Sequence, residues 1–409
     1  MSSRRLLEEY ARLIVRMGGK VSKGEIVWIN AQLDQPEFIE MVVEECYKAG
    51  AKEVLVKWYH DPVTKLNFKY ETVSTLGNIN SMTLARYKYM AKKLPTMLHI
   101  ISDDPDAMKG VDQRKVSKAR QKSYPKIKKY RDMMDGKYKW CIAAVPGKAW
   151  AHKIYPELPI EDAVEELWNA ILLTSRVDEN DAVKNWEEHN RILVEKREKL
   201  INLRLKSLNY KASNGTNFHV ELDPNRLWGA GIETAPNKGT YNPNIPTEEV
   251  FTSPIAGKAE GTLVASLPLS YNGELIEDFS ITFENGRVKE VHAEKNQKLL
   301  EEMVKMDEGA SMLGEVALVP FESPINESGI LFYNTLFDEN AVCHVALGAG
   351  FRELVKDSEN MSTEELKKLG INDSMIHVDF MVGTRDLDIV GEDEKGNKIQ
   401  IFKNGTWAI

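Results

Sequence analysis

Over the first 150 residues, stretches with apolar positions every three or four residues alternate with short runs that are apolar almost throughout. Residues 6–17 and 37–49 carry the helical period, and Gly50 stops the second of these. Residues 25–29 (EIVWI), 53–58 (EVLVKW), 97–101 (MLHII) and 139–145 (KWCIAAV) are strand-like runs, the kind found where both faces of a sheet are covered. This βαβ rhythm predicts a parallel sheet flanked by helices. Residues 161–208 are mostly helical in pattern. After them the texture changes to short strands separated by Gly, Asn and Pro: 216–222, 262–267, 278–283 and, beyond the turn Glu284-Asn285-Gly286, 287–292. The expected class is α/β, with an N-terminal parallel-sheet α/β domain over residues 1–205 and a C-terminal, β-rich α+β domain over residues 206–409.

Composition adds mainly exclusions. At 409 residues, 42% hydrophobic and 28% charged, this is an ordinary globular chain long enough for two domains. A net charge of -8 argues against nucleic acid as a main partner. Residues 114–131 do hold nine Lys or Arg and no acid, but such a run reads as the solvated face of a helical excursion. No apolar run reaches the length of about 18 residues that a membrane helix needs. Residues 1–5 are basic but lead into an amphipathic pattern rather than a signal-peptide core. Cys46, Cys141 and Cys343 stand far apart, as in a reducing compartment, and the expected location is cytoplasmic.

The common catalytic signatures are absent: there is no HExxH, GxSxG, GxxxxGK[ST] or Gly-rich dinucleotide fingerprint. His219-Val220-Glu221 lacks the PCxxC that would make it a zinc deaminase half-site. The informative residues are carboxylates and imidazoles in apolar surroundings. His377-Val378-Asp379 lies in the strand-like run MIHVDFMV, where i, i+2 spacing projects both side chains to one face. His344 sits in AVCHVALG, and Glu315 interrupts MLGEVALVP, where an unpaired charge is costly to bury. Glu339 precedes His344 by five residues, and of the adjacent pair Glu248-Glu249 only one can face inward from a strand. Four such carboxylates and two imidazoles match the charge of two divalent ions, which can share a hydroxide and polarise a carbonyl. The chemistry indicated is metal-assisted hydrolysis.

These residues lie in ordered blocks: YARLIVRMGGKVSKG at 10–24, VKW at 56–58, NIPTEEVFT at 244–252, DEGA at 307–310 followed by GEVA at 314–317, FDENAVCHVALG at 337–348, HVDFM at 377–381 and IFKNG at 401–405. In these blocks the chain resembles the dinuclear metalloaminopeptidases of the aminopeptidase T, aminopeptidase S and PepS group, over nearly its full length. The resemblance selects Glu249 over Glu248 and implies Glu249, Glu315, Glu339, His344, His377 and Asp379 as metal ligands. It implies Glu315 as the bridging carboxylate and Glu315 or Glu339 as the base. It also implies two divalent ions (zinc, cobalt or manganese), peptide substrates cleaved at their amino terminus, and a homodimer. One position departs from the group: where a tyrosine is usual, this chain has Phe351, and losing one donor to a developing oxyanion can cost about 10² to 10³ in kcat. Arg385 and Tyr333 are the candidate replacements. The second expectation is a catalytically weakened member of the group that binds metal and peptide.

Overall fold

The computed structural model describes residues 3–102, 104–358 and 361–409. It divides into two compact units, the first made of Met1–Glu188 with Ile232–Pro246, the second of His189–Gly231 with Thr247–Ile409.

The first unit is built on the predicted parallel sheet. Its strands run in the order Asn244–Ile245, Trp140–Ala144, Thr96–Ile101, Ile26–Gln32, Glu53–Tyr59, all parallel. One face carries Val27, Ile29, Ala31, Leu98 and Ile100, all buried. On the other face Trp28 and Met97 pack with Met90 of the helix Ser81–Lys93 and with Tyr130 and Met134 of the helix Gln113–Met134. That second helix contains the basic stretch. Its apolar positions Val116, Ala119, Ile127, Tyr130 and Met134 are buried, leaving the charges to the outer side. Asn244–Ile245 reaches this sheet from beyond residue 231, a return of the chain that two residues are too short to announce by any period.

The second unit is antiparallel, as the alternating strands after residue 205 predict. A large sheet runs Leu269–Tyr271, Glu274–Glu284, Ala259–Val264, Asn217–Glu221, Leu205–Lys211, Asp388–Asp393, Lys398–Lys403, Thr406–Trp407, with Arg287–Lys295 also paired to Glu274–Glu284. A smaller sheet has the order His377–Met381, His344–Gly348, Leu313–Leu318, Val250–Thr252, Gly229–Ala230. Phe218, Phe279 and Phe283 from the large sheet and Val316, Val345, Leu347 and Phe380 from the small one share one apolar core. Among the described residues no helix is long and apolar enough to cross a membrane.

Candidate metal centre

The smaller sheet shows how one strand sequence serves two purposes. Directly opposed residues in antiparallel strands point to the same face, and alternate residues to opposite faces. Val250, Leu318, Val316, Val345, Leu347 and Phe380 take the core side. The register Glu315↔Ala346↔Asp379, Ala317↔His344 and Gly348↔His377 puts the two acids and two imidazoles together on the other side. Apart from Met381 opposite His344, their other direct partners are Ala and Gly, which leave room above the sheet.

Glu315 reaches that side through an irregularity. Leu313 pairs with Leu347, yet Glu315 pairs with Ala346, so one extra residue is inserted at Gly314. Without this bulge, Leu313 and Glu315 would share a face, and the carboxylate would enter the apolar core. Gly314 itself lies so close to the neighbouring strand end that a Cβ would sit 2.2 Å from the Ala349 carbonyl oxygen. Gly348, with φ of +105°, is likewise held where side chains are strained.

Five predicted residues converge. Glu249, Glu315 and His344 offer ligand atoms all within 4.8 Å of one another, and Glu315, His377 and Asp379 do the same, so Glu315 belongs to both groups. His344 Nε2 is 3.2 Å from Glu249 Oε2, and His377 Nε2 is 3.1 Å from Glu315 Oε2 and 3.4 Å from Asp379 Oδ1. All but His377 are buried; its side chain keeps 29% exposure and opens the site to solvent. Glu248, by contrast, is buried beside His189, 3.8 Å from its Nε2, and belongs to neither group. Glu339 belongs to neither three-residue group, but its carboxyl lies in the field of Asp379, Glu249 and Glu315.

The electrostatics are those of a site that wants cations. Burial pushes the Glu315 carboxyl up to about 7, with Asp379 and Glu249 adding to the rise against His377. Burial, then Asp379 and Glu249, also drive Glu339 well above the ordinary carboxylate range. Burial opposes the charged form of both imidazoles, yet Glu249 holds His344 up at about 10, and Asp379 with Glu315 hold His377 up to about 12. Here protons are the only cations available to the acids, and divalent ions would displace them. Asp379 Oδ1 is buried and makes no hydrogen bond, a lone pair that a metal would take. Three buried carboxylates share only two imidazoles, so the donor set fits divalent ions. Each group supplies three protein ligands, the number that leaves a catalytic ion an open position.

Other residues support the cluster without being ligands themselves. His377 Nδ1 donates to the Ala349 carbonyl at 2.7 Å, which leaves Nε2 as the ligand atom. Asp307 accepts from the Ser374 hydroxyl at 2.8 Å and from the Met375 and Ala310 amides at 2.6 and 2.8 Å, fastening the turn that delivers His377. Buried Asn340 accepts from the Glu248 amide at 2.7 Å and donates to Glu339 Oε1 at 3.4 Å. Phe351 stands beside the cluster, its ring centroid 5.0 Å from that of His377 and 5.1 Å from that of Phe251. Arg385, a candidate stand-in for the absent phenol, is stacked over the Phe321 ring instead, 5.0 Å from its centroid.

A family model described as thermophilic metalloprotease matches residues 3–407. Aminopeptidase AmpS of Bacillus subtilis is 37% identical over 403 residues, covering 98% of both chains. Aminopeptidase PepS of Streptococcus thermophilus is 38% identical over 407 residues, again with 98% of each covered. Among solved structures, wild-type AmpT from Thermus thermophilus superposes with a TM-score of 0.91 at 33% identity, over 99% of this chain and 100% of that one. A 2,5-dihydroxypyridine dioxygenase from Pseudomonas putida, at 13% identity and a TM-score of 0.53 over 100% and 98% of the two chains, shares the fold alone.

Proposed function

The chain belongs to the thermophilic metalloprotease family, and from that premise we propose that it is an aminopeptidase with a dinuclear metal centre, acting on peptides with a free amino terminus. The observation that carries this reading is the pair of three-ligand groups that share Glu315. Glu249, Glu315 and His344 would hold one divalent ion and Glu315, His377 and Asp379 the other, with Glu315 bridging. Zinc, cobalt and manganese suit mixed carboxylate and imidazole donors. When bound, such a pair supplies a bridging water of lowered pKa and polarises the scissile carbonyl.

The protein's own groups orient the substrate and move the proton. With cations bound beside it, Glu339 would be held as the carboxylate, which would take the proton of the attacking water and deliver it to the leaving amine. The substrate α-amine is held among the carboxylates, which limits cleavage to the first residue. Phe351 and Phe251 form an apolar wall beside His377. The three buried, free cysteines fit the cytoplasmic location proposed with this reading, and the family resemblance supports a homodimer.

Metal analysis tests the centre directly. Dialysed protein incubated with zinc, cobalt or manganese should retain about two ions per chain, and His377→Ala should lower both occupancy and activity. Fewer than about half an ion per chain would reject the centre. Amino-terminal acetylation of a peptide substrate should abolish cleavage, because the free amine positions the scissile bond; equal kcat/KM for free and acetylated peptides would reject the exopeptidase reading.

A further inference from the structure

The parallel sheet of the first unit carries its own polar row. The register Lys57↔Asn30↔His99 sets three polar side chains abreast on three adjacent strands, on the face whose preceding row is Leu55, Trp28 and Met97. The row lies toward the carboxyl ends of the strands. The chain leaves Ile26–Gln32 toward Glu53–Tyr59 on one side and places Thr96–Ile101 on the other, so the row spans the point where strand order reverses. In open parallel sheets this crevice is where ligands bind. A cleft of about 200 Å³ opens there, lined by Asn30, Gln32, Tyr59, His99 and Ile101 among others.

We infer that this row is a binding site for a small oxyanion, a carboxylate or phosphate group. The hydrogen bonds argue for that sign. Asn30 Oδ1 already accepts from Trp28 Nε1 at 3.1 Å and from the Tyr59 hydroxyl at 3.3 Å. That orients the amide so that Asn30 Nδ2 meets His99 Nδ1 at 3.4 Å, leaving the imidazole proton on Nε2. Lys57 Nζ donates to the Tyr59 hydroxyl and lies over its ring, 3.8 Å from the centroid. The acceptors in this network are therefore used, and the capacity left over is donor capacity: two protons of Lys57 and Nε2–H of His99.

Charge agrees with the hydrogen bonds. Among the described residues neither Lys57 nor its neighbour Arg86 makes an ion pair. The nearby acids are engaged: Asp61 accepts from Gln32 at 3.3 Å and Asp34 from the Ser102 hydroxyl at 2.6 Å. Burial and Arg86 push Lys57 down to about 8, and burial lowers His99. A cation kept half-buried with no counter-charge is the mark of a site rather than of a structural pair. The helix Pro36–Lys48 that follows the first strand begins with proline, which withholds an amide from its first turn, and no glycine-rich loop precedes it. Side chains, not a backbone cradle, must hold the anion.

Calorimetry on the metal-loaded full chain tests this with four probes: inorganic phosphate, adenosine monophosphate, N-acetylglycine and N-acetylglycinamide. At least one oxyanion should bind while the neutral amide does not, and the tighter class identifies the source as phosphate or carboxylate. Lys57→Met and Lys57→Gln should each weaken that binding by about tenfold or more, the scale of a charge-assisted hydrogen bond. His377→Ala, which damages the proposed metal centre, should leave it within about twofold, so failure of this site and failure of the peptidase reading are distinguishable. In the wild-type chain, phosphate or N-acetylglycine should shift the His99 ring resonances. Unchanged affinity in either folded Lys57 variant, binding lost only in His377→Ala, or unmoved His99 resonances would overturn the assignment.

Discussion

The proposed metal centre of the second unit and the Lys57–Asn30–His99 row of the first are both rows of polar side chains on a sheet whose opposite face is apolar core. They differ in what their hydrogen bonding leaves over. In the antiparallel sheet the surplus is acceptor capacity on Glu249, Glu315 and Asp379, which calls for cations. In the parallel sheet it is donor capacity, which calls for an anion. The ligand's sign follows from the unused donors and acceptors, whereas the charged residues alone would mark the first row as surface.

The largest effect is expected from removing the residue common to both ligand groups. Glu315→Gln should lower kcat by about 10³-fold or more, on the scale of losing metal-supplied activation, and deplete metal from both positions. Metal analysis beside the rate decides whether loss of one ligand empties one site or two. A second measurement exploits the protons that hold the acids together. His344, at about 10, and His377, at about 12, are protonated at neutral pH before metal binds, so binding must expel protons. Metal affinity should therefore rise with pH, by about tenfold per unit for each proton expelled, and a pH-independent Kd between pH 6 and 8 would contradict these pairings.

A smaller effect is expected one step back from the ligands. Asp307→Ala releases the turn before His377 and should weaken metal affinity by about 10- to 100-fold without changing the ligand set. Titration with a metal-sensitive dye measures it. Smallest is Phe351→Tyr, expected to raise kcat by up to about tenfold if the new hydroxyl reaches the developing oxyanion from beside His377. A fall in melting temperature without a gain in kcat would show the hydroxyl buried without a partner.

Much of this arrangement is legible in the chain itself. The helical and apolar periods place the first sheet's strands, and i, i+2 spacing puts His377 and Asp379 on one face as found. Glu315 stands out because an acid interrupts an apolar run. Other features are invisible there for physical reasons. A two-residue strand such as Asn244–Ile245 has no period to detect. The acceptor that orients His377 is a backbone carbonyl, which any residue at 349 supplies. The Lys57–Asn30–His99 row is assembled by register across three strands, so its members are not neighbours in sequence at all.

The single extra residue at Gly314 makes the active face a matter of parity. Drawing it into regular pairing, rather than deleting it, would turn Glu315 into hydrocarbon or Leu313 out of it, whereas deletion would leave the two as successive residues on opposite faces. What the strand has to preserve is thus the alternation of the two faces and not its exact length. A chain of this kind with no residue, or with two, between the positions of Leu313 and Glu315 can keep both faces by regular alternation, while a single residue there has to be bulged out.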